Sequence, residues 1–354
     1  VGSNKLTKRQ ASIFEFIRKR GRATNQEIKN FLETAWEDVS RFTVLRDVEA
    51  LLNRGFLARK GAGRNVYYEE ALRTPILKYF DPGSYFETPP DKRKTAFERF
   101  DFSWFEDFKY VFKKEELHEL EKLNESFRKQ VNKLSPALLQ REFERLTIEL
   151  SWKSSQLEGN TYSLIDTEVL LKEHKEAQGH KRDEAIMILN HKKALDYAFD
   201  KRSDFRVLRL RKLENLHQLI VSDLGVGSGI RKKPVGITGT TYRPLDNEHQ
   251  IRQALEEVIK IINGSVPNPF AKALAAIAVI SYIQPFEDGN KRTGRLLGNA
   301  ILLAHDACPL SYRSIDDAQY KKAMILFYEQ NSVRYLKEQF VEQFKFAVQN
   351  YFLG

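Results

Sequence analysis

The sequence predicts a mainly α-helical protein with a small α+β domain at its N-terminus, and three observations carry that prediction. From Phe112 onward, apolar residues recur at helical spacing almost without a break. The first 72 residues read instead as three short helices followed by a glycine-containing hairpin. The length, 354 residues, exceeds one typical domain. The expected organisation is a domain over 1–72, a packed linker over 73–112 and a helical domain over 113–354.

Leu6 to Lys19 places Ile13, Phe14 and Ile17 on one helical face, and Gly21 stops it. Thr24 with Glu27 three residues on forms a capping box for a second helix, which buries Ile28, Phe31 and Leu32. Ser40 opens a third, with Val44, Val48, Leu51 and Leu52 inward and Arg41, Thr43 and Arg46 outward; Gly55 ends it. Phe56–Lys60 and Asn65–Tyr68 then flank Gly61-Ala62-Gly63-Arg64, a hairpin with a basic tip. This segment resembles winged helix-turn-helix DNA-binding domains, whose third helix enters the major groove while the wing touches backbone. The resemblance implies double-stranded DNA as a partner, with Arg41, Thr43 and Arg46 at bases or phosphates and Arg59, Lys60 and Arg64 on phosphates. A protein-docking or dimerisation module is the alternative, and self-association stays open.

The linker has turn signals at Pro75, Asp81-Pro82-Gly83 and Thr88-Pro89-Pro90, yet Phe97, Phe100, Phe102, Trp104, Phe105 and Phe108 are too apolar for a free tether. Beyond it, Leu117, Leu120, Phe127, Val131 and Leu134 form one apolar stripe. Ser135-Pro136 caps a helix that buries Leu139, Phe143, Leu146 and Leu150 and runs toward Glu158, with Gly159 as its stop. Further helices are expected at Asp183–Phe199, Leu208–Val221, Glu248–Ile262, Pro269–Ile283, Arg292–His305, Ile315–Phe327 and Ser332–Tyr351.

The most informative stretch is Gln284-Pro285-Phe286-Glu287-Asp288-Gly289-Asn290-Lys291-Arg292-Thr293-Gly294-Arg295. An almost wholly apolar helix ends before Pro285, and a tight loop delivers the amides of Asn290, Lys291 and Arg292 to the start of the next helix, where the dipole favours anions. Gly289 leaves the backbone open to a ligand. Arg292 and Arg295 lie three apart on one face, and Asp288 adds a hard oxygen ligand of the kind magnesium shares with nucleotide phosphates.

This stretch resembles the signature of the Fic family, His-Pro-Phe-x-Asp/Glu-Gly-Asn-Gly/Lys-Arg-x-x-Arg, at every position but the first. Two more segments extend the resemblance. Ser154-Ser155-Gln156-Leu157-Glu158-Gly159-Asn160 is similar to the family's inhibitory helix pattern, here within 136–160, and 231–244 looks like its flap. The resemblance implies an all-helical Fic core with a β-hairpin flap. It also implies transfer of AMP from ATP to a Ser, Thr or Tyr hydroxyl of a target protein, the motif histidine serving as base. Carried over by position, Asp288 holds Mg2+, Gly289, Asn290, Lys291 and Gly294 belong to the nucleotide loop, Asn290 and its neighbouring amides hold the α/β phosphates, Arg292 the β-phosphate and Arg295 the γ-phosphate. Ser154, Glu158 and Gly159 form the inhibitory element, Glu158 pairing with Arg295. Thr238, Gly239, Thr240, Thr241 and Tyr242 are the expected target contacts, made through backbone.

The departure is Gln284, which replaces the histidine. An amide orients a hydroxyl but accepts no proton near pH 7, so activity is expected to be lower by roughly 10²–10⁴-fold. None of the seven histidines lies in the motif, and His217 and His305 are expected to be structural. Lys291 is typical of the Doc branch, whose members transfer phosphate; Gly289 favours AMP transfer. A non-catalytic nucleotide-binding transcription regulator and a Doc-like protein kinase remain the alternatives.

The net charge of +10 suits a polyanionic partner but also a merely soluble surface. The single Cys308 excludes an internal disulfide and any multi-cysteine metal site within this chain, and is expected in the core. No segment has a leader's pattern, and the longest apolar run is well short of the ~20 residues that span a bilayer, so the expected location is cytoplasmic with no membrane partner.

Overall fold

A computed structural model of the chain describes residues 6–36, 39–97 and 99–353. The chain divides into two units, Val1–Glu87 and Thr88–Gly354. The segment expected as one linker is therefore split. Residues 73–87, with the short helix that follows Asp81, belong to the first unit, where the Arg18 guanidinium lies 4.5 Å from the Tyr79 ring centre. The aromatic stretch belongs to the second.

In the N-terminal unit, helices α1 (Lys8–Arg20), α2 (Asn25–Ala35) and α3 (Arg41–Asn53) pack with strands β1 (Arg22–Ala23), β2 (Leu57–Lys60) and β3 (Tyr67–Glu70), and α4 (Pro82–Glu87) closes the unit. The antiparallel sheet has the order β1-β3-β2, with Leu57 opposite Glu70 and Lys60 opposite Tyr67. Ile13, Ile17, Ile28, Leu32, Val44, Val48, Leu51 and Leu57 fill the core. The Thr24–Glu27 capping box forms as the spacing predicts, and Thr7 with Gln10 forms a second that the sequence reading passed over. Arg41 and Arg46 are exposed on α3, as are Arg59 and Arg64 on the hairpin. Two of the expected DNA contacts are otherwise engaged. Thr43 is half-buried, with its N–H and hydroxyl both on the Ser40 hydroxyl, and Lys60 pairs with Glu69 at 3.5 Å.

The regular elements of the second unit are mainly α-helices: α5 (Lys114–Val131), α6 (Pro136–Gln156), α7 (Leu164–Glu173), α8 (Arg182–Asp200), α9 (Leu210–Val221), α10 (Glu248–Gly264), α11 (Pro269–Ile283), α12 (Asn290–Ala304), α13 (Asp317–Gln330) and α14 (Arg334–Asn350). Helix α7 was not expected; its short run carries a weak apolar pattern. At the centre lies α11, every residue from Ala273 to Ile283 buried. It meets α12 closely enough that a β-carbon at Gly298 would come within 2.8 Å of Ile277 Cδ1. Trp104 packs edge-on against Tyr282 and Phe327, at 5.2 and 5.1 Å between ring centres, seating the aromatic segment on α11 and α13. Cys308 is fully buried.

The β-hairpin expected over 231–244 is absent. The segment is irregular, and its one ladder contact among the described residues is an isolated parallel bridge between Arg243 and Arg99. Side chains hold it instead. Buried Arg231 donates to the carbonyls of Gln284 (2.6 Å), Lys233 (2.7 Å) and Leu245, and its N–H donates to Pro285 O at 2.9 Å. No helix among the described residues is long and apolar enough to cross a membrane.

Candidate active site at the α11–α12 loop

The loop begins where α11 ends. Gln284 adopts a left-handed conformation (φ 49°), closing the helix with its N–H on Ile280 O at 3.0 Å. Its side-chain amide turns back as well, donating to Ser281 O at 2.6 Å. Phe286 is fully buried and stacks on His217 of α9 at 3.7 Å between ring centres. Asn290 stitches the loop shut: its Oδ1 accepts from Phe286 N (2.9 Å) and its Nδ2 donates to Phe286 O (2.8 Å). The Asn290 side chain, expected on phosphate, is thus occupied within the protein, leaving its backbone amide for a ligand.

Gly289 is required for a reason different from the expected one. Its φ is 78°, and a β-carbon would come within 3.1 Å of Val221 Cγ1 and 3.2 Å of Ile220 Cγ2, so the wall behind the loop demands glycine. Helix α12 starts immediately after it. The first intrahelical bond runs from Thr293 N to Gly289 O, and the N–H groups of Asn290, Lys291 and Arg292 have no partner among the described residues. Three amides and the positive end of the helix therefore face one point.

Around that point stand the charges. Arg292 is 2% exposed, and its Nη2 lies 2.9 Å from Asp288 Oδ2. The Asp288 side chain is 63% exposed, and only its Oδ2 is paired with Arg292, so it fits a cation shared with phosphate oxygens. Among the described residues no cluster of three or more acidic, histidine or cysteine side chains could hold a metal by itself. His217 Nε2 donates to Asp288 O at 3.0 Å and pins the loop's back. Burial holds its imidazole at a pKa of about 4, against a partial lift from the Asp288 carbonyl. A neutral buried histidine stabilises the fold fully above about pH 6.5, the unfolded value, and that contribution falls away as pH drops toward 4. A His217→Phe variant is accordingly expected to lose part of the acid-side decline in melting temperature between those values; an unchanged pH profile of melting refutes it.

Arg295 is fully buried and fixed from α6. Its Nε donates to Ser154 Oγ (3.0 Å), and its Nη2 to Ser154 O (2.8 Å) and Glu158 Oε1 (2.9 Å). Glu158 lies in the turn just past α6, which Gly159 completes with φ 96°. Its other oxygen takes a bond from Lys291 Nζ at 2.9 Å. Burial alone would raise the Glu158 carboxyl, but the Arg295 and Lys291 charges outweigh it and hold the pKa at about 2. This second cation was not expected: Lys291 was placed in the nucleotide loop, and Glu158 was given Arg295 alone as its partner. A Lys291→Met variant is expected to loosen Glu158 by roughly 1 kcal/mol, since Lys291 is one-third exposed, and to improve nucleotide affinity about fivefold in a binding titration. Unchanged affinity counts against that role.

A cavity of about 470 Å³ opens over the loop. Val235, Ile237, Met324 and Ile325 supply apolar lining, and Lys321 stands at its edge. Thr238 lines it too, whereas Gly239, Thr240 and Thr241 do not. Tyr242, expected to face a target, is buried between Tyr282 and Tyr328 with its hydroxyl donating to Tyr282 O at 3.0 Å. It anchors the segment. Arg231 is the other anchor, and its flanking basic residues gave no sign of it.

The profile of the Fic/DOC family matches residues 207–302, the span from α9 through α12 that contains this loop. These residues form a Fic/DOC family domain. The protein adenylyltransferase Fic of Drosophila ananassae is 25% identical over 171 residues, 48% of this chain and 34% of that protein. That of Culex quinquefasciatus is 27% identical over 170 residues, 47% and 34% respectively. The matches thus span about a third of the length of these curated relatives. In fold, the chain is similar to Fic-1 (residues 134–508) from C. elegans, at a TM-score of 0.55 and 19% identity over 66% of this chain and 69% of that one. A Fic domain containing signaling protein from Bacteroides thetaiotaomicron gives 0.55 and 20%, over 65% and 95%. The Fic/DOC domain is accordingly mostly helical in this chain, in keeping with the fold of its structural neighbours.

Proposed function

We propose that the Fic/DOC domain transfers AMP from ATP to a hydroxyl of a target protein, that Glu158 restrains it, and that Gln284 makes it slow. The observation that carries this reading is the start of α12, where three unpartnered N–H groups, Arg292 and an accessible Asp288 oxygen converge beside the cavity. Such a cradle suits a polyphosphate. The two relatives, both protein adenylyltransferases, point the same way.

In the proposed reaction the target hydroxyl oxygen attacks the α-phosphorus, the bond to the β-phosphate oxygen breaks, and pyrophosphate leaves. Magnesium, held by Asp288 and the phosphates, would neutralise charge on the departing group. The amides of Asn290–Arg292 and the Arg292 guanidinium orient the phosphates, which is mostly positioning and electrostatics. Arg295 becomes available to the γ-phosphate once Glu158 leaves it. The hydroxyl proton passes to solvent water or to the departing pyrophosphate, and slowly, because the Gln284 amide accepts none and its NH2 is bonded to Ser281.

The test is incubation of the Gln284→His/Glu158→Gly chain with ATP labelled at the α or the γ phosphate. α-Label on protein supports the proposal; γ-label on protein means phosphate transfer of the Doc kind; label on neither leaves a nucleotide-binding regulator. For the N-terminal unit we propose duplex DNA as the partner, because Arg41, Arg46, Arg59 and Arg64 have no carboxylate partner among the described residues. A fall of duplex affinity with rising salt supports it, and no binding at low salt by the folded chain rejects it.

A further inference from the structure

Phe42, at 84%, is the most exposed large apolar side chain among the described residues. It is the second residue of α3. Helical spacing turns it outward with Arg41, Leu45, Arg46 and Glu49, opposite the buried Val44, Asp47, Val48 and Leu51. Leu45 beside it is 36% exposed, so the face carries an apolar centre. Arg41 and Arg46 flank that centre without a carboxylate or ring partner among the described residues.

An occupant of this face must offer anions at its edges and apolar surface between them. The major groove of B-DNA does so: phosphates line the rims, and thymine methyl groups stand on the floor. Its width of about 12 Å admits one helix. Glu49 on the same face repels phosphate, so a duplex accommodates it only where a base edge donates to it, as the cytosine amino group does.

We infer that Phe42 determines base preference by packing on thymine methyl groups, while Arg41 and Arg46 hold phosphates; this rests on the duplex reading of the N-terminal unit given above. The ring is rigid, already exposed and flanked by the charges that would fix its register.

The full chain is used to select from a pool of duplexes with a randomised eight-base-pair centre at low salt. Each selected thymine is then replaced by uracil, which removes only the methyl group. The parent chain is expected to lose about fourfold in affinity at one or more thymines. Phe42→Ala, checked for folding by its melting curve, is expected to bind the thymine and uracil duplexes equally and the unselected pool within about twofold of the parent. Phe42→Leu keeps part of the discrimination. Equal binding of thymine and uracil sites by the parent chain overturns the inference and leaves duplex binding standing. No binding to any duplex overturns the duplex reading and the inference together. Conversion of a dimer to a monomer by Phe42→Ala overturns the inference too, since the ring then belongs to an interface with a second copy.

Discussion

A Glu158→Gly variant is expected to bind ATP with magnesium roughly 10- to 100-fold more tightly than the parent chain. In the parent, the Glu158 carboxylate takes 2.9 Å bonds from both Arg295 and Lys291, and a triphosphate must displace it from each. Charge-assisted bonds of this kind are worth about 1.5–3 kcal/mol each, of which a nucleotide recovers only part. The same substitution is expected to lower the melting temperature without nucleotide, because Arg295 is fully buried and loses its counter-charge at a cost of about 3 kcal/mol. The two effects oppose each other, so the melting shift on adding ATP should grow markedly. Calorimetric titration and paired melting curves read both, and unchanged values would show the contact to be ornamental. Acidification is no substitute for the mutation. With a folded pKa of about 2 against an ordinary value of 4.5, the stabilisation from this carboxylate is complete above about pH 4.5 and lost only as pH falls toward 2.

Restoring histidine in the relieved background, Gln284→His with Glu158→Gly, is expected to raise AMP transfer to a target or to the chain itself by roughly 10²–10⁴-fold over Glu158→Gly alone. Position 284 ends α11 in a left-handed conformation at the rim of the cavity, and Arg231 grips its carbonyl, so a new side chain starts from a fixed root. Histidine would also give up the Gln284 bond to Ser281 O, costing about 1 kcal/mol of stability. ATP affinity should change little, because this position adds proton acceptance rather than phosphate contact. Transfer that stays flat while ATP still binds would move the reading to a nucleotide-responsive regulator.

The helical architecture was largely legible because periodicity is a local signal. Helix α11 and the cap at Ser135-Pro136 emerge at their expected residues, and Pro285 marks the loop. What could not be read depends on long-range partners. The segment 231–244 has β-like composition, but it is fastened by Arg231 and Tyr242 to α11 and the loop, and no strand among the described residues pairs with it. Asn290 looked like a phosphate ligand because its amide suits either partner; only the closed loop shows that Phe286 claims both ends. Lys291 and Glu158 are 133 residues apart in sequence, and spacing carries no information about such a pair.

Arg295 keeps two bonds to Ser154 that do not involve Glu158. Its guanidinium therefore stays aimed when the carboxylate swings out, and α6 need not unwind for the domain to become competent. Under the proposed restraint by Glu158, control would rest in a single turn, Leu157–Asn160, whose far end is tethered to α8 through the Asn160 amide on Glu184 O.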